Sequence, residues 1–237
     1  MDIREDFPSL FLDSDSTKRL REQAQKPYKR ADYFTFFTYR KLSIYVSNFC
    51  VKKGVGATPV TYASIVSFLM AMGVGLTQDK VVAFTLMPAL WHLGYFLDVV
   101  DGEIARINKR TSVSGAILDK YIFLLCVISY YFLLGTSDLL GSNQYFVIII
   151  FGLLALDVYF NVDGATSGQS AQPVSELKAI CLLLLKLPFI KPGVVIIYPV
   201  LAMLAEIEVA NIYLVGVLGV QLLWSGRKLV LQVRESR

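Results

Sequence analysis

Long apolar runs separated by short polar breaks occupy most of the chain. Runs near residues 57–77, 81–100, 114–135, 143–162, 191–206 and 210–225 approach the roughly 20 residues that a helix needs to cross a bilayer. The pattern predicts an all-α integral membrane protein with six transmembrane helices, the fifth of them the shortest. The chain ahead of these runs is different. Residues 1–31 are polar and of mixed charge, and read as a cytoplasmic tail or short surface helix. Residues 32–53, DYFTFFTYRKLSIYVSNFCVKK, are dominated by aromatics flanked by bases. On a helix Phe34, Phe37, Lys41 and Tyr45 would fall near one another, which predicts an N-terminal interfacial amphipathic helix in the headgroup plane. GVGATP then breaks the chain, so residues 54–237 form the expected six-helix domain.

Composition agrees with a membrane setting: 55% of the 237 residues are hydrophobic and only 18% are charged. The charges follow the spans. Eleven of the 23 Lys and Arg precede residue 54, and others cluster at Arg106, Lys109, Arg110, Lys178, Lys186, Lys191 and the C-terminal RKLVLQVRESR. The loops on the other side, near 78–80, 136–142 and 207–209, carry only Lys80. By the positive-inside rule both termini face the cytoplasm, and with them the ends of the second and third spans. The net charge of +4 is therefore a record of topology and of attraction to anionic membrane lipids, and nucleic acid is not an expected partner. MDIREDFPSL lacks the apolar core of a secretory signal, so no cleavage is expected. NVDGATSGQSAQPVSELKAI reads as a cytoplasmic loop, and CLLLLKLPFIKPG, broken by Lys186, Pro188, Lys191 and Pro192, as a re-entrant or interfacial segment. Cys50, Cys126 and Cys181 have no metal-ligand spacing and read as packing residues.

The chemistry concentrates between the second and third runs, in DVVDGEIARINKRTSVSGAILDKYIF, residues 98–123. Carboxylates at the end of a membrane helix are costly unless cations neutralise them, so such a cluster marks function. On a helix Asp98, Asp101, Gly102 and Ala105 lie at i, i+3, i+4 and i+7, on one face, and Gly115 and Asp119 stack four apart on the next helix. Hard oxygen ligands of this kind suit Mg²⁺ or Mn²⁺ with Asp98, Asp101 and Asp119 as the metal ligands. Arg106 has the forked guanidinium that grips a phosphate. Gly102, Ala105 and Gly115 would let a nucleotide approach the backbone; alone, such small residues indicate tight helix packing instead.

The spacing D98-x2-D101-G102-x2-A105-R106-x8-G115-x3-D119 resembles the signature of the CDP-alcohol phosphotransferase family. The resemblance implies metal-dependent transfer of a substituted phosphate from a CDP-linked donor, a lipid in phospholipid synthesis, to an acceptor alcohol with release of CMP. It also implies a homodimer. Two positions depart. The family's fourth aspartate, four residues after Asp119, is Phe123 here, and that residue resembles the general base for the acceptor hydroxyl. Thr58-Pro59-Val60 stands where the family often has T-P-N. With the usual base absent, Asp119 is the candidate catalytic carboxylate, and Glu103 and Asp163 are substitute bases without motif support. His92, six residues before Asp98, would lie about 9 Å deeper along the helix and reads as a hydrogen-bonded intramembrane residue. Two other readings remain open: a pseudoenzyme that binds CDP-lipid or a membrane partner, and an ion or proton transporter, for which acids gathered at one membrane edge are a poor match.

Overall fold

The computed structural model describes residues 7–8, 10, 13–26, 33–77, 79–110, 113–135, 184–185, 187–188, 190–205 and 207–235. Among these residues there are helices and no strand. The expected fourth span, Asp163 and Cys181 lie outside the described residues. Helix α1 (Asp15–Ala24) starts at Ser14, whose hydroxyl accepts from the Thr17 N–H at 3.3 Å, with Asp15 in the first turn, a standard way to satisfy a helix start. The single helix expected over 32–53 is two: α2 (Tyr33–Phe37) and α3 (Tyr39–Lys52), parted at Thr38, whose hydroxyl donates to its own Phe34 carbonyl. Gly54, at φ 74°, takes the left-handed turn that ends this segment.

Three long helices follow: α4 (Ala57–Gly75), α5 (Lys80–Ile107) and α6 (Val113–Gly135). Helices α4 and α5 are long and apolar enough to cross a membrane. Tyr62, Val66, Leu69 and Met70 stand exposed on α4, an apolar surface of the kind hydrocarbon covers. Asp79 opens α5 by accepting from the Val81 and Val82 N–H groups at 2.9 and 3.2 Å. At its other end Lys109 adopts φ 52°, and Arg110 N–H bonds back to the Ala105 carbonyl at 3.0 Å. This tight stop ends α5. Helices α7 (Lys191–Leu204) and α8 (Ile207–Glu235) complete the described chain.

The chain divides into two compact units, and α4, α5 and α6 each contribute residues to both. One unit comprises 1–67, 92–123 and 168–185. Its apolar centre is Val60, Val100 and Ile104, against which Cys50, Val51, Phe96 and Leu97 pack. Beside it, Tyr39 packs edge-on to Phe34 at 5.3 Å and against Tyr95 at 5.3 Å, and its hydroxyl hydrogen-bonds His92 Nδ1. The other unit comprises 68–91, 124–167 and 186–237. Trp91 packs edge-on against Phe68 at 6.2 Å and donates to the Cys126 carbonyl at 3.1 Å. Gly193 is required there by close approach: a Cβ at that position would stand 1.7 Å from the Leu187 carbonyl oxygen.

Helix α3 inverts the usual inside-out pattern. Ser43, Ile44 and Ser47 are buried, whereas Leu42, Val46 and Phe49 are exposed. The serines are inside because they serve a buried carboxylate on α5.

Candidate functional site

The first unit holds the motif-bearing parts of α5 and α6. Asp98 and Asp101 sit near the C-terminal end of α5 and Asp119 in the second turn of α6. One carboxylate oxygen from each of the three acids lies within 4.8 Å of the other two. Asp101 is buried, Asp98 half-buried and Asp119 exposed. The expected stacking is thereby realised across two helices. Like charges this close in a partly dry setting repel strongly, and among the described side chains no lysine or arginine stands within ion-pair distance of them. Three hard oxygen donors converging at such spacing fit Mg²⁺ or Mn²⁺.

Thr61, one turn into α4, donates from Oγ1 to Asp101 Oδ2 at 2.6 Å. The hydroxyl fixes which oxygen of Asp101 faces the cluster, as supporting partners of ligating carboxylates do. Next to it, Val60 is buried against Val100 and Ile104. The position where the resembling pattern carries an amide has here become part of the apolar packing.

Arg106 lies one turn beyond Gly102, and its guanidinium rests against that glycine: a Cβ on Gly102 would meet Nη1 at 3.3 Å and Nη2 at 3.4 Å. The missing side chain makes room for the guanidinium along the helix surface. Arg106 Nε donates to the Ala24 carbonyl at the end of α1. Ala105 is half-buried and Gly115 exposed. Phe123 follows Asp119 by four residues on α6, hence on the same face, and is 37% exposed.

Glu103 does not join the cluster. It is 1% exposed and accepts three hydrogen bonds, from Gln25 Nε2 at 2.7 Å, Ser43 Oγ at 2.6 Å and Ser47 Oγ at 2.7 Å. A carboxylate so occupied holds elements together and is not placed to take a proton from a substrate.

The family model described as CDP-alcohol phosphatidyltransferase matches residues 55–222. The chain belongs to the CDP-alcohol phosphatidyltransferase family. That membership establishes the general class of reaction, transfer of a phosphatidyl-type group from a CDP-alcohol, in a membrane-associated family that generally depends on a divalent metal. Neither a search of curated proteins nor one of solved structures returned a match. Within the family signature the structure brings together Asp98, Asp101 and Asp119, with Gly102 and Arg106 adjacent on α5.

Sequence reasoning missed Thr61, Gln25, Ser43 and Ser47. Thr61 carried a usable signal, a hydroxyl one turn after Thr58-Pro59 at the start of an apolar run. The other three carried none, because their partner Glu103 lies 78, 60 and 56 residues away.

Proposed function

We propose that this protein transfers a substituted phosphate from a CDP-linked lipid to an alcohol and releases CMP, with Mg²⁺ or Mn²⁺ held by Asp98, Asp101 and Asp119. The observation that carries the reading is the convergence of those three carboxylates within 4.8 Å across α5 and α6. In the reaction the acceptor oxygen forms a bond to the phosphorus that bears the lipid, the bond from that phosphorus to the CMP oxygen breaks, and the acceptor proton leaves to solvent. The bound metal would supply Lewis-acid stabilisation of the charge that builds on the leaving phosphate. Arg106 binds phosphate through its fork, and its contact with the Ala24 carbonyl keeps the guanidinium beside Gly102. Thr61 orients Asp101. Gly102, Ala105 and Gly115 leave room for the cytidine and its phosphates. The charge asymmetry of the chain supports a multi-pass topology with the site on the cytoplasmic side. The exposed Leu42, Val46 and Phe49 of α3 support an interfacial position for that helix.

Phe123 favours a second reading, a family member that binds the donor and turns over slowly or not at all. Phenylalanine accepts no proton, Glu103 is fully engaged elsewhere, and Asp119 serves the cluster. One experiment addresses both. CDP-diacylglycerol binding to purified protein is measured with and without Mg²⁺, for wild type and Asp98→Asn, and CMP release is followed for wild type and Phe123→Asp. Metal-dependent binding lost by about 100-fold or more in Asp98→Asn is expected. A folded wild type that binds no CDP-diacylglycerol removes the transferase reading. General-base contributions run to about 10²–10⁴ in rate, so CMP release raised by that order in Phe123→Asp identifies an enzyme limited by its missing base. Unchanged release in that variant favours the donor-binding reading.

A further inference from the structure

The chain ahead of the family-matched segment is fastened to the site. Arg21, 1% exposed, donates to Asp13 Oδ2 at 2.8 Å, to the Arg40 carbonyl at 2.7 Å and to the Lys41 carbonyl at 2.9 Å. Gln25 donates both to the Arg40 carbonyl and to Glu103, each at 2.7 Å. Arg106 takes the Ala24 carbonyl, and Arg40 Nη1 takes the Lys26 carbonyl at 2.9 Å. A polar tail would spend none of these groups. Burying a guanidinium is costly unless its donors are satisfied, and the partners of Arg21 satisfy it while Gln25 and Ala24 tie the end of the segment to α5.

Lys26 lies at that end. Its own carbonyl accepts from Arg40 Nη1 and the Ala24 carbonyl just before it accepts from Arg106 Nε, while the residue keeps an exposed surface. The ammonium has Arg106 and Arg40 as like-charged neighbours and Asp119 and Asp98 as opposite ones. Partial desolvation in the first place, then the two arginines, push its pKa below the usual lysine value, against the pull of the two aspartates. The bond from Arg106 to the Ala24 carbonyl brings this end of the segment to the arginine of the motif, and a lysine there, within electrostatic reach of Asp98 and Asp119, is suited to an anion that also engages Arg106.

We propose that Lys26 is a substrate-binding residue of this site, contacting the pyrophosphate of the CDP-linked donor, and that the latch of Arg21, Gln25 and Arg40 positions it there. The proposal rests on the transferase reading and extends the site beyond residues 55–222. It makes residues 13–26 part of the substrate pocket.

The test is Mg²⁺-dependent binding of CDP-diacylglycerol by wild type, Lys26→Met, Lys26→Arg and Asp98→Asn in nanodiscs of neutral lipid. Loss of one charge-assisted contact to phosphate predicts affinity about tenfold weaker in Lys26→Met and close to wild type in Lys26→Arg. In parallel, acetylation of lysines in the wild type is read by mass spectrometry. Donor with Mg²⁺ is expected to protect Lys26 and to leave Lys18 labelled as before, a readout that does not depend on how any variant folds. Wild type that binds donor and loses it with Asp98→Asn, while Lys26→Met binds as wild type and Lys26 stays unprotected, overturns this inference alone. Folded wild type that binds no donor overturns the transferase reading together with it.

Discussion

Helix α5 carries acids on two faces that handle charge in opposite ways. Glu103 is buried and its two oxygens are satisfied by Gln25, Ser43 and Ser47. Two residues earlier, Asp101 receives a hydroxyl from Thr61 and otherwise faces Asp98 and Asp119, charges of its own sign. A folded chain tolerates a buried carboxylate by surrounding it with donors, and tolerates a crowd of carboxylates when a cation from outside completes it. The first face is built for cohesion. The second is left electrostatically incomplete, and the proposed function assigns the metal to that incompleteness.

The sharpest way to break the comparison is to remove an acid from each face. Glu103→Ala strands three donors that the fold has desolvated, at about 1–3 kcal/mol each. At about 2–4 °C of Tm per kcal/mol for a chain of this size, a fall on the order of 10 °C is expected in a thermal-shift measurement in detergent. Asp98→Asn relieves repulsion, so its Tm in metal-free buffer should equal or exceed that of wild type while donor binding is lost. The two variants should thus show crossed profiles, one losing stability and the other losing ligand. Equal loss of Tm in both would mean that the cluster is a structural feature as well, and the contrast would fail.

A smaller effect tests how the binding face is tuned. Thr61→Val keeps the shape of the side chain and deletes the bond to Asp101 Oδ2. Outer partners of metal ligands typically contribute about 10–100-fold in affinity, and one neutral donor places the expectation near the lower figure, about tenfold weaker Mn²⁺ binding by electron paramagnetic resonance. Thr61→Ser should recover most of it. Unchanged Mn²⁺ affinity in Thr61→Val would show that Asp101 holds its orientation through its own helix.

The two faces also differ in how far they can be read from sequence. Asp98, Asp101, Gly102, Ala105 and Arg106 fall within nine residues of one helix, so fixed helical geometry orders these five before any tertiary contact forms, and Asp119 joins them from the next helix. The cohesive face depends on partners far along the chain. Glu103 stood out as an acid and entered the sequence reading as a substitute base. Only the positions of Ser43 and Ser47 on α3 show that its protons come from the interior. The same limit applies to residues 1–31, whose polar composition reads as a tail. Nothing local signals that Arg21 will reach the carbonyls of Arg40 and Lys41, 19 and 20 residues on. The spans expected over 57–77 and 81–100 correspond to α4 and α5, with α5 running on to Ile107 so that the stretch from Asp98 to Arg106 is helical.

Asp13 offers the mildest test, because it is a second satisfied acid and lies outside the motif. Burial pushes its pKa up, but the bonds from Arg21, from the Tyr45 hydroxyl and from the Leu10 N–H outweigh burial and hold the carboxyl below its ordinary value. A carboxyl whose pKa is lower folded than unfolded adds stability that is complete above the unfolded value, about 3.9, and is lost as pH falls through the folded one. The latch should therefore be intact at pH 6 and weaken below about pH 4. Hydrogen exchange of the α1 amides, followed from pH 6 to pH 3 after correction for the intrinsic rate, is expected to rise at the acid end. Asp13→Asn should show the faster exchange already at pH 6 and much less dependence on pH. Should α1 exchange be as pH-dependent in Asp13→Asn as in wild type, the pair with Arg21 is not what fastens the arm. The weight would then fall on Gln25 and its bond to Glu103, and the arm would stand or fall with the cohesive face of α5.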